Sequence, residues 1–61
     1  MTKEIVIEII KDEVKYFDWD LEKALQALES LNFKIESILD NSLFDESKIR
    51  TTVAMAYHAF G

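Results

Sequence analysis

Between Ile5 and Ile10 the chain reads IVIEII, five β-branched aliphatics in six positions. On a helical wheel of residues 3–17, Ile5, Ile9 and Tyr16 fall on one side. Val6, Ile10, Val14 and Phe17 fall on another, with Ile7 beside them, while Glu4, Glu8, Lys11, Asp12 and Lys15 fill the remaining arc. Polar and apolar positions thus separate at the helical period, which a strand of period two would not achieve. The pattern predicts a helix over 3–16, even though β-branched side chains lower its intrinsic propensity.

The same spacing continues beyond it. Asp18 or Asp20 in FDWDLEKAL can accept the free N–H groups of a new helix. Leu21, Ala24, Leu25, Leu28 and Leu31 then recur at helical intervals, predicting a second helix over about 19–31. Asn32 suits the left-handed position that often follows a helix. Ile35, Ile38, Leu39 and Ser42 point to a short helix over about 34–42. Asp45 reads as another N-cap, with Phe44 and Ile49 placed as a hydrophobic staple. A last helix over about 46–60 would bury Ile49, Val53, Ala56, Tyr57 and Phe60. The expected fold is all-α, a small bundle of three to four helices forming one domain over 1–61. Composition agrees: there is no Pro, and the one Gly is the final residue, so hairpin turns of the Asn-Gly type cannot be written.

A chain of 61 residues buries only about 60% of the surface that its unfolded form exposes. It has no Cys, so no disulfide reinforces it. No apolar run approaches the roughly 20 residues of a membrane span, and no signal-like segment opens the chain. A cytoplasmic protein is expected. The net charge is −5, unevenly placed. Twelve acids and five lysines lie at or before Glu46, giving −7, and Lys48 with Arg50 gives +2 afterwards. This balance opposes a phosphate backbone or an anionic membrane, both of which require clustered cations. A basic protein partner is compatible with it.

Candidate chemistry is sparse. Asp18, Asp20 and Glu22 alternate like the start of a calcium loop, but neither the turn Gly nor the distal Glu of such a loop follows. Helix capping accounts for them better. His58 is the only histidine, so a two-imidazole zinc site cannot form within one chain. It shares a helical face with Arg50 and Ala54 and is expected in solvent. Nothing in the pattern places two carboxylates in an apolar cleft, as acid–base work requires. No enzyme, metal or cofactor is expected. The row Glu4, Glu8 and Asp12 repeats at i,i+4 and is a candidate docking stripe for a basic surface, or else an ordinary solvated face.

The helix DLEKALQALES followed by LNF at 31–33 resembles the first helix and Met-Gly-Phe loop of ubiquitin-associated (UBA) domains. Leu31 stands for the Met, Asn32 for the Gly and Phe33 for the Phe. Ile38-Leu39 continue the pattern in a second helix, and Ile49 and Val53 in a third. The resemblance covers about 18–60 and implies a three-helix bundle that binds other proteins through the loop, at Asn32 and Phe33, and through the last helix. Thr52 departs from the small apolar residue usual before Val53.

The first helix still carries too much apolar surface. Its arc spans about 200°, whereas a helix lying on one core needs little more than about 100°. Either the other helices clamp it from several sides, or a second copy covers part of it. A two-fold homodimer is the expectation, with Val6, Ile10, Val14 and Phe17 facing the chain's own core and Ile5, Ile9 and Tyr16 shared. The function expected is a non-enzymatic protein–protein interaction module, a small acidic regulator or adaptor. The alternative is an acidic mimic of nucleic acid that inhibits a nucleic-acid-binding protein. A helix-turn-helix reading ranks last, because the final helix offers only Lys48, Arg50 and His58 as cations.

Overall fold

The computed structural model of the chain describes residues 2–39 and 45–61, without the side chains of Ser37 and Ile38. Helix α1 runs Lys3–Tyr16, α2 Leu21–Ser30, α3 Ile35–Leu39 and α4 Glu46–Phe60. The protein is a small all-α bundle, as the periodicity predicts, and α1 and α4 have the expected bounds. The extension of the third helix to Ser42 and the Phe44 half of the staple lie outside the described residues.

Helix boundaries follow from where the terminal backbone groups find partners. Thr2 opens α1, its hydroxyl accepting from the amide of Ile5 at 3.3 Å. At the other end Asp18 turns left-handed, with φ 55°. The amide of Asp18 then donates to the Lys15 carbonyl at 3.1 Å, and that of Trp19 to Val14 at 2.9 Å. This pair of bonds is a Schellman motif. It occupies Trp19, so α2 starts at Leu21 and not at 19. Asp20 alone caps α2, accepting from the amides of Glu22 at 2.8 Å and Lys23 at 3.4 Å. The two aspartates expected to compete for one role therefore hold two: Asp18 ends α1 and Asp20 begins α2.

Helix α2 closes by the same device. Asn32 has φ 63°, its amide donates to Glu29 at 3.0 Å, and the amide of Phe33 donates to Leu28 at 2.9 Å. Leu31 becomes the C-cap, which ends the helix at Ser30. Asp45 caps α4 through the amide of Lys48 at 3.0 Å.

The core is built from Val6, Ile9, Ile10 and Val14 of α1, Ala24, Ala27 and Leu28 of α2, and Ile49, Val53 and Ala56 of α4. Trp19, Leu21, Phe33, Ile35 and Leu39 pack around it, half-buried. Fully burying a Val, Leu or Ile contributes about 1.5–3 kcal/mol. Val6, Ile10, Leu28, Ile49 and Val53 are buried to that degree. Ile9 corrects the sequence reading, being only 7% exposed and part of the chain's own core. The reason is that α1 packs against α2, α3 and α4 together, so its wide apolar arc is clamped from several sides. Phe60, expected inside, is corrected in the other direction and lies exposed, and so do Leu25 and Leu31 of the α2 pattern. In α2 the inward stripe runs through Ala24, Ala27 and Leu28, which turns Leu25 outward; in α4 it ends at Ala56, with Tyr57 half-buried.

Candidate functional site

Helices α1 and α4 run in the same direction, because Asp12 meets Arg50 and Phe17 meets Tyr57. At the C-terminal ends Phe17 stacks on Tyr57, with centroids 4.5 Å apart and an interplanar angle of 18°. Trp19 meets the same ring edge-on at 5.4 Å. His58 is exposed, as expected, and lies edge-on to Phe17 at 6.3 Å. Four residues before Arg50, Glu46 comes level with about Glu8, and the Phe17–Tyr57 pair places it nearer Val6, since each residue rises about 1.5 Å. Helix α4 therefore begins beyond Ile5. That offset leaves Ile5 50% exposed although its neighbours Val6 and Ile9 are buried.

The result is an open groove of about 520 Å³ between the first turns of α1 and the start of α4. Ile5 and Ile9 form its apolar floor, and Glu4, Glu8, Asp12, Glu46 and Arg50 form its rim. A volume of this size suits a small ligand elsewhere, but the groove is open and no wall encloses it among the described residues. The sequence-predicted row Glu4, Glu8 and Asp12 does lie together on this groove. Pattern reasoning missed Glu46 and Arg50, which complete it. Their i,i+4 spacing was visible, but the 38-residue separation of Asp12 and Arg50 carried no signal.

Arg50 organises one end of the rim. Its guanidinium donates to Asp12 at 2.7 Å, to Glu46 at 2.9 Å and to Glu13 at 3.0 Å. These hydrogen bonds, that to Asp12 foremost, raise the Arg50 pKa above its ordinary value. Two of the four rim carboxylates are thus already paired with a cation. Glu8 stands 4.0 Å from Lys11, at the outer limit of an ion pair, and Glu4 forms no ion pair among the described residues. The unneutralised end of the groove is the end that holds Ile5.

The other expected residues do not join this site. Tyr16 is 80% exposed at the last turn of α1, eleven residues beyond Ile5, or about 16 Å along the helix. With Ile9 inside the core, Ile5, Ile9 and Tyr16 do not make one continuous surface. Asn32 is exposed and Phe33 half-buried at the end of α2. Phe33 lines a second cleft of about 460 Å³ with Leu25, Leu28 and Ile35, bordered by two lysines and two glutamates. Of the remaining residues in the UBA-like pattern, Ile49 and Val53 are fully buried.

Among the described residues, no group of three or more His, Cys, Asp or Glu is arranged to hold a metal ion. No described helix is long and apolar enough to cross a membrane. Compared with known proteins, the chain matches no family model, no curated protein and no solved structure.

Proposed function

We propose that this protein is a non-enzymatic protein–protein interaction module, a small acidic helical regulator or adaptor. The observation that carries this reading is Ile5, a half-exposed aliphatic between carboxylates in an open groove. An apolar groove rimmed by polar residues, as distinct from a lone exposed aliphatic, is a form that protein-docking surfaces take. Among the described residues the grooves lack the enclosing walls that positioning a substrate would require. Capture from a lysate of the host organism tests the reading, using the wild-type chain beside Ile5→Ser and Leu25→Ser. Specific retention of a protein, lost in one of these variants, is the expected outcome. Equal retention by all three would leave both surfaces without a role.

The acidic nucleic-acid mimic stays as the second reading, and four carboxylates along one groove favour it. Arg50 weakens it by pairing with two of them. The two readings separate on salt: a mimic held by charge alone loses its partner as ionic strength rises, whereas an apolar anchor retains part of the affinity.

A further inference from the structure

We infer that the groove between α1 and α4 receives a basic amphipathic helix of a partner protein, one apolar residue of which sits on Ile5 while Lys or Arg residues at one-turn spacing face Glu4 and Glu8. This inference rests on the interaction-module reading and names the occupant. Two observations select it. The floor is aliphatic and exposed at Ile5, so the occupant presents an apolar side chain there. Glu4, Glu8 and Asp12 follow one another at intervals of one turn, about 6 Å apart along the axis, which is also the spacing of i,i+4 side chains on a facing helix. Helix-in-groove recognition has this geometry.

Charge decides against the competing occupants. A second copy of the chain related by a two-fold axis would set this carboxylate rim against its own image, because such an interface pairs a patch with itself. Like charges so placed cost affinity. Nucleic acid would meet the same repulsion. The rim's own cation is spent on Asp12, Glu13 and Glu46, so an incoming cation finds its partners at Glu4, which has no ion pair among the described residues, and at Glu8, which has only Lys11 at 4.0 Å.

The test uses the full chain labelled with nitrogen-15 and a synthetic peptide of about four turns. The peptide carries a leucine face flanked by lysines at one-turn spacing. A second peptide has the same leucines with glutamate for lysine. Amide shifts confined to residues 4–9 and to the start of α4, produced by the lysine peptide alone, are expected. Ile5→Ser should weaken binding about tenfold, the equivalent of one well-buried aliphatic contact. The double variant Glu4→Gln, Glu8→Gln should weaken it comparably and flatten its salt dependence. Both variants should keep the wild-type circular dichroism, since all three side chains are exposed.

Shifts centred on Leu25, Phe33 and Ile35 would overturn the proposal, and so would equal binding of the glutamate peptide. Binding of the lysine peptide that ignores Ile5→Ser would reduce the effect to diffuse charge attraction and overturn it as well. If lysate capture nevertheless depended on Leu25, the module reading would stand with its surface moved to the other cleft.

Discussion

The amide of Trp19 donates to the carbonyl of Val14 over 2.9 Å, so the residue that leads into α2 is tied to the last buried residue of α1. That bond requires Asp18 to adopt φ 55°, and the matching bond from Phe33 to Leu28 requires Asn32 to adopt φ 63°. Neither position is glycine, which takes this conformation without steric cost. Asp18 also places a negative charge at the negative end of a helix dipole. Asp18→Gly is therefore expected to raise stability by about 1 kcal/mol, and Asn32→Gly by about 0.5 kcal/mol. Asn32→Val should lower it by about 1 kcal/mol. Urea denaturation midpoints rank the three, and a loss of stability in both glycine variants would contradict the motif.

Capping provides a second comparison. Asp20 accepts two amides, the nearer at 2.8 Å, whereas Thr2 accepts one at 3.3 Å. Asp20→Ala is expected to cost about 1 kcal/mol, and Thr2→Ala about half of that. Asp18→Gly should not reproduce the Asp20 loss, because the Asp18 side chain caps nothing and glycine takes φ 55° without steric cost. Equal effects at Asp18 and Asp20 in thermal melts would mean that the two roles are not separate.

Ile5 and Ile9 share a wheel position but not an environment. A carboxylate at Ile9, which is 7% exposed, has no water to reach, and burying it unpaired costs several kcal/mol. A domain of this size has no more stability than that to lose. Ile9→Glu is expected to be unfolded, and Ile5→Glu to keep its helicity with a change within about 0.5 kcal/mol. A folded Ile9→Glu chain, seen in far-ultraviolet circular dichroism, would place Ile9 outside the core.

The periodicity made the helices legible because their polar residues segregate cleanly and because Asp20 and Asp45 stand beside the starts of their patterns. The α2 boundary shifted because Trp19 looks helical in sequence, yet its amide is consumed in closing α1. A helical wheel shows how wide an apolar arc is and not how many neighbours cover it; for that reason Ile9 read as surface. The acidic row was visible as i,i+4 spacing. Its groove was not, since it arises from the axial offset of α4 against α1, which shows only in tertiary pairs such as Asp12 with Arg50 and Phe17 with Tyr57.

The Arg50 network links stability to the proposed docking groove. One guanidinium donates from Nε to Glu46 and from Nη1 to both Asp12 and Glu13, a planar geometry that an ammonium group cannot reproduce. Arg50→Met keeps much of the apolar stem but leaves three carboxylates facing one another. Its melting temperature is expected to fall below that of the wild type at low salt, with Arg50→Lys in between. The gap between Met and wild type should narrow as salt screens the repulsion. The substitution also takes the net charge from −5 to −6 and frees Asp12 and Glu46 on the groove. At a temperature where both proteins are folded, Arg50→Met should bind the lysine peptide more tightly than the wild type does. Weaker binding by a folded Arg50→Met chain would mean that the guanidinium itself contacts the occupant, which would then have to carry an acid at that end.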